Sequence, residues 1–229
     1  MTWLDLCFLH WPVPPEALAP SLPPGLQLDL WQGQAWVGIV PFRMAGVAPR
    51  FSPDMPRVSA FPELNLRTYV TAQGVPGVWF YSLDAAQPLA VRLARRLFHL
   101  PYFDARMWVD RRGEITRYAS MRTHRRAPEG HFAAAFRPVG PVFQAAGGTL
   151  EDWLTHRLAL YSADRRGRLY RGQVHHDPWR LRRAEARIAE NTLAAPLNLR
   201  LKGEPHLLYA QRTEVRADWL TPVRVSPEP

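Results

Sequence analysis

Lysine is almost absent from this chain: Lys202 is the only one, so the formal charge of +9 over 229 residues is carried by arginine. Cysteine is equally scarce. Cys7 stands alone, which excludes an internal disulfide and fits a reducing, cytoplasmic setting. No apolar run approaches the roughly twenty residues that a membrane helix needs, so no membrane partner is expected. The start, MTWLDLCFLHWPVPPEAL, lacks a basic leading segment and contains Asp5 and His10, and it reads as folded sequence, not as a signal peptide. Glycine-rich phosphate loops and dinucleotide fingerprints are missing, and with them the expectation of a nucleotide cofactor. No Gly-x-Ser-x-Gly elbow surrounds Ser59, Ser82, Ser120 or Ser162, which argues against a serine nucleophile.

What the chain has in quantity is arginine, proline and aromatic residues. The arginines are scattered, often as doublets such as Arg95-Arg96, Arg111-Arg112 and Arg182-Arg183. A nucleic-acid surface concentrates its charge and interleaves stacking aromatics, so this scatter argues against a nucleic-acid partner and reads as compositional. Twenty-three prolines and fourteen glycines cut the chain into short pieces rich in Val, Tyr, Phe, Trp and Leu. Such pieces favour sheet over long helices. Strands are expected at 26–31, 34–44, 63–72, 76–83, 104–111, 114–123, 131–137, 168–176, 179–190 and 206–216. Hairpin turns at Gly33, Gly74 and Gly113 support several of them.

Three segments carry helix signals. Residues 14–22 open on prolines and stop at Pro23-Pro24-Gly25. Residues 87–100 space Leu89, Leu93, Leu97 and Leu100 along one face with arginines opposite, the pattern of an amphipathic helix that packs its leucines inward. Residues 147–161 offer Thr149 as N-cap with Glu151 and Asp152 in the first turn. An irregular stretch, 46–60, has the length of a binding loop or a proline-stiffened crossover, and the tail from Thr221 is expected to fray. The fold class expected is α+β: a single domain over residues 1–229, a mostly antiparallel curved sheet closed into a cone or barrel with two or three short outer helices.

The segment FPELNLRTYV, 61–70, concentrates the chemistry. Glu63, Asn65, Arg67 and Tyr69 alternate with Leu64, Leu66, Thr68 and Val70, so on a strand the four polar groups share one face. That face is either wet or the wall of a ligand cavity. Trp79 and Tyr81 likewise share a face of their strand and suit a planar or apolar ligand if that face borders the cavity. His175-His176-Asp177 offers metal-ligand residue types, yet neighbours on a strand point apart, so no metal is expected there; Trp179 is read as core. For Glu63 the bland alternative is an ion pair with Arg43, Arg50 or Arg67.

Several segments together resemble the uncharacterised bacterial YqjF-like family, known as domain of unknown function 2071. They are HWPVPPEALAPSLPPGLQLD, AWVGIVPFRM, FPELNLRTYV, GVWFYSLDA, ARRLFHLPYFDARM, GTLEDWL and HHDPW, and they span nearly the whole chain. The family in turn is similar to acetoacetate decarboxylase, which implies a cone or barrel around an apolar ligand cavity. In that enzyme family an active-site glutamate strand is followed by a Leu-Asp strand end, a helix and a Pro-Lys-Lys turn that supplies a Schiff-base lysine. Here the resemblance puts Glu63 on the glutamate and Leu83-Asp84 on the strand end, while the turn reads Leu100-Pro101-Tyr102-Phe103. Tyrosine and phenylalanine stand where the amines belong. A Schiff base requires an amine, so that chemistry is not expected, and Lys202, beside Gly203, reads as a solvated turn.

The expected site therefore has Glu63 and Tyr102 as catalytic candidates and Arg67, Asn65, Trp79, Tyr81 and Phe103 as ligand-binding candidates, without metal or cofactor. Whether it is an acid-base enzyme on a carbonyl or carboxylate compound or a non-catalytic binding or sensing module stays open at this point, with a basic nucleic-acid scaffold as a third reading. Edge strands leave a homo-oligomer open as well.

Overall fold

The computed structural model describes residues 1–46 and 61–224. Apart from Gly46, the expected binding loop lies outside the described residues, as do Arg50 and the last five residues of the tail. Among the described residues fourteen strands form one sheet: β1 (Thr2–Val13), β2 (Gln27–Leu28), β3 (Ala35–Ala45), β4 (Phe61–Ala72), β5 (Val75–Ala85), β6 (Tyr102–Arg112), β7 (Ile115–Arg122), β8 (His131–Phe143), β9 (Ala159–Ala163), β10 (Leu169–His175), β11 (Leu181–Asn191), β12 (His206–Glu214), β13 (Arg216–Ala217) and β14 (Thr221–Pro222). The helices are α1 (Pro15–Leu18), α2 (Pro88–Phe98) and α3 (Leu150–Thr155).

The strand order β5-β6-β7-β8-β11-β12-β1-β3-β4 returns to its start because β4 also pairs with β5, so the sheet closes into a ring. Closure is loose at one seam. β5 forks there, meeting β9 at Val78 and Trp79 and β6 only at Leu83–Ala85, both in parallel, whereas the other strand pairs are antiparallel. The α+β class and the curved, mostly antiparallel sheet are thus as the sequence implies.

Four local expectations are corrected. β1 is absent from the expected strands because it lies at the centre of the sheet between β12 and β3 and is buried on both faces from Asp5 to Trp11, which erases the alternation that marks a half-buried strand. The helix expected over 147–161 stops at Thr155. Tyr161 then belongs to β9, where its hydroxyl donates to the Val75 carbonyl at 2.8 Å, so strand pairing overrides the helical pattern. On α2 the leucine stripe faces outward: Leu89, Leu93 and Leu97 are 61%, 49% and 39% exposed while Val91 is fully buried. Arg95 fixes that rotation by donating to the Tyr102 carbonyl at 2.6 Å and lying over the Phe103 ring. The tail also holds longer than expected, since Thr221 and Pro222 pair with β10.

The two faces of β4 separate as the alternation demands. Leu64 and Leu66 join Cys7, Leu9, Trp11, Val37, Ile39, Tyr118, Phe132, Phe136 and Tyr209 in the largest apolar cluster. The polar row lies on the other face, with Leu6, Phe8, Val40, Phe42 and Trp179 beside it. It is mostly dry: Glu63 is 2% exposed, Asn65 7% and Tyr69 0%, while Arg67 is half-buried.

Candidate active site

Register carries Glu63 to the seam of the ring. Glu63 lies opposite Ala85 on β5, and β5 in turn pairs Leu83 with Tyr102 at the start of β6. The Leu100-Pro101 turn is held by a bond from the Leu83 amide to the Pro101 carbonyl, 3.0 Å, and it aims the Tyr102 side chain at Glu63. The Tyr102 hydroxyl donates to the carboxyl, 3.3 Å from Oε1 and 3.2 Å from Oε2. Among the described residues no cation pairs with Glu63; Arg43, one of the expected partners, binds Asp5 instead. Burial therefore pushes the Glu63 carboxyl up to about 8, against the hydrogen bonds of Tyr102 and Asn65 and with the help of the Asp84 charge. Burial and the same carboxyl hold the Tyr102 phenol well above its ordinary range. Near neutral pH the pair is a protonated acid beside a neutral phenol, able to exchange a proton or to hydrogen-bond a carbonyl.

A second buried pair stands behind the first. Asp84, fully buried at the end of β5, accepts from Arg122 Nε at 2.8 Å and Nη2 at 3.2 Å, and the Arg122 guanidinium lies 4.5 Å from the Phe103 ring centre. Burial raises the Asp84 carboxyl while Arg122 opposes the rise. Phe103 thus covers this ion pair and does not face Glu63. The resemblance placed Asp84 at a strand end and did not name its partner, because Arg122 is one more arginine in a scattered series.

Farther along the polar row, three strands align His10, Gly38 and Arg67 in register. A side chain on Gly38 would lie 2.9 Å from His10 Cδ2 and 3.4 Å from Arg67 Cγ, so only glycine lets these two meet. His10 Nε2 lies 2.7 Å from the Tyr69 hydroxyl, which donates to the Leu154 carbonyl of α3, as does Arg67 Nη2 at 3.3 Å. Burial keeps the His10 imidazole neutral, aided by the Arg67 charge. The sequence offered no signal for His10, a lone histidine in an apolar strand.

The other expected residues lie elsewhere. Trp79 and Tyr81 point to the face opposite Glu63: Trp79 pairs in register with Thr68, and Tyr81 packs on the cluster of Leu64 and Leu66. With Ser21, Phe80, His99 and Pro101 they line an open groove of about 490 Å³. A bulge between Leu66 and Arg67 shifts the register there, which alternation alone does not disclose. His175 pairs with Asp218 at 2.8 Å while the His176 ring lies tilted at 51° against the buried Trp179, and among the described residues no group of three or more His, Cys, Asp or Glu is arranged for a metal ion. Lys202 is exposed between β11 and β12. Among the described residues no helix is long and apolar enough to cross a membrane.

The family model DUF2071, uncharacterized conserved protein, matches residues 1–214. The uncharacterized protein YqjF of Bacillus subtilis (strain 168) is 44% identical over 215 residues, covering 93% of this chain and 88% of its own. Among solved structures, acetoacetate decarboxylase from Legionella pneumophila superposes with a TM-score of 0.66 at 12% identity, covering 97% of this chain and 87% of its own. The enduracididine biosynthesis enzyme MppR, complexed with the condensation product of pyruvate and imidazole 4-carboxaldehyde, gives a TM-score of 0.67 at 12% identity over 96% of this chain and 87% of its own.

Proposed function

Because the chain belongs to DUF2071, a family of uncharacterized conserved proteins, and shares the fold of acetoacetate decarboxylase, we propose that it takes a small carbonyl or carboxylate compound at Glu63 and Tyr102, with Glu63 as acid or base. One observation carries this reading: a buried carboxyl without a cation among the described residues, pushed up to about 8 and held by a phenol. Natural chains rarely bury such a group for stability, since it costs free energy on desolvation. The step it supports is proton transfer to or from a carbon or oxygen next to a carbonyl. Imine formation is not part of it, because Tyr102 stands at the turn and Lys202 is exposed.

A second reading, a binding module without turnover, is favoured by the closure of the site, where the Tyr102 hydroxyl reaches both carboxyl oxygens. One series of experiments separates the two. Native mass spectrometry of the purified protein is expected to show a retained compound with a carbonyl or carboxyl group. A panel of 2-oxo and 3-oxo acids follows, led by pyruvate because MppR is known in complex with it. Turnover that falls by about 100-fold or more in Glu63→Gln supports the acid-base role. Binding without turnover supports the module, and neither retention nor binding of any acid overturns both.

A further inference from the structure

Arg67 is a half-buried cation without an acidic partner among the described residues. Its neighbour Arg157 is already committed to Asp29, and Arg43 and Arg122 to Asp5 and Asp84. Of the five donors of the Arg67 guanidinium, one bond goes to the Leu154 carbonyl, another is directed at the Tyr69 hydroxyl, and Nε is buried with no partner. The group lies 5.7 Å from the ring centres of both Phe8 and Tyr69, so its flanks are aromatic. The imidazoles around it carry no charge: burial lowers both His10 and His176. Among the described residues this is one unpaired positive charge beside the Asp29-paired Arg157, in a largely aromatic niche, with unused donors in a planar fork.

From this arrangement we propose that Arg67, set against Phe8, Tyr69 and the glycine-spaced His10, is the receptor for the carboxylate of an organic acid with an apolar or aromatic body. The inference rests on the reading that this face of the sheet holds a small molecule, and it adds the ligand class. A carboxylate matches because it brings a single negative charge to a single guanidinium and takes two parallel bonds from the fork. A phosphate dianion would leave one charge uncompensated among rings and neutral imidazoles. His10 is a positioning residue: its bond to Tyr69 holds the ring beside Arg67, and it touches no ligand atom in this scheme. On β4, Glu63 and Arg67 are about 13 Å apart at roughly 3.3 Å per residue, so the carboxylate is anchored at a distance from the acid.

Titration calorimetry of the full chain with benzoate, benzamide and phenylphosphonate tests the assignment. Benzoate is expected to bind, benzamide not to bind, and phenylphosphonate to bind more weakly than benzoate. Arg67→Gln is expected to weaken benzoate at least tenfold and Arg67→Lys at least threefold, because lysine keeps the charge and loses the fork. Circular dichroism checks that each variant is folded, and Arg67→Lys alone decides if the glutamine variant is not. Leu93→Ser, on the exposed face of α2, is expected to leave benzoate affinity within twofold, and turnover that persists in Glu63→Gln while Arg67→Lys weakens benzoate marks failure of the acid-base role and not of this inference. Equal affinity for benzoate and benzamide, stronger binding of phenylphosphonate, or unchanged benzoate binding in Arg67→Lys would overturn the assignment.

Discussion

Glu63 sets a pH dependence whose sign follows from its environment. Its carboxyl is near 4.5 in the unfolded chain and is pushed up to about 8 in the fold, so the native state holds the proton more tightly. Stability is then full below about pH 4.5, falls by roughly 1.4 kcal/mol per pH unit as pH rises from there to about 8, and levels off above. Glu63→Gln removes the ionisation, and the difference in unfolding free energy between variant and wild type is expected to change by several kcal/mol from pH 5 to pH 8 in urea titrations, in favour of the variant. A constant difference across that range would mean that Glu63 is ionised in the fold at all these values. Arg122→Met tests the second pair. It leaves the Asp84 carboxylate buried without its cation, and the expected loss is about 3 to 5 kcal/mol.

At the scale of elements, the row His10, Gly38 and Arg67 shows how three strands produce one local geometry. Gly38→Ala puts a methyl group against the imidazole and the Arg67 stem, and an expected cost of about 1 to 3 kcal/mol in unfolding experiments accompanies loss of the His10 to Tyr69 bond. Helix α2 makes the opposite test, because its leucines face out. Val91→Ala is expected to cost about 1 to 2 kcal/mol, and Leu93→Ser to change stability by less than about 0.5 kcal/mol. If Leu93→Ser cost as much as Val91→Ala, the helix would be rotated from this arrangement. The contrast between α2 and β4 explains what the sequence could tell. Alternation on β4 gave the face of Glu63 to Tyr69 correctly, because strand direction is fixed by the pleat. On α2 the leucine spacing named a helix but not its orientation, which Arg95 and its bond to β6 decide. That Glu63 shares a face with Asn65 was legible from the polar row, and its contact with Tyr102 was implied by the resemblance to acetoacetate decarboxylase at the turn after α2. His10, Arg122 and the bulge at Arg67 were not, since each acquires its role only when β1, β5 and β7 are brought together.

For the molecule as a whole, closing the ring joins β1 to β12, strands about two hundred residues apart in the sequence. β1 pairs with β12 from Thr2 opposite Glu214 to His10 opposite His206, and Asp5 ties that junction together. Its carboxylate accepts from the Tyr209 hydroxyl of β12 at 2.8 Å and from Arg43 of β3, and pairs with Arg111 of β6 at 3.0 Å. Asp5 itself has a φ of 53°, a left-handed conformation that asparagine and aspartate tolerate better than most, in the irregular register between β1 and β3. Contacts between segments so far apart in the sequence form only after a large loss of chain entropy, and a ring of mostly non-local strand pairs is expected to fold in milliseconds to seconds or more slowly. The Asp5 junction therefore belongs to the late part of folding. Asp5→Ala is expected to cost about 2 to 4 kcal/mol, less than a fully buried pair because Arg43 and Arg111 are partly exposed. In stopped-flow chevrons nearly all of that loss should appear as faster unfolding, with the refolding rate within about twofold of wild type. A variant that refolded more slowly by the full amount would place the meeting of β1 and β12 in the folding nucleus, and the ring would then have to close before its seam at β5 and β6 is made.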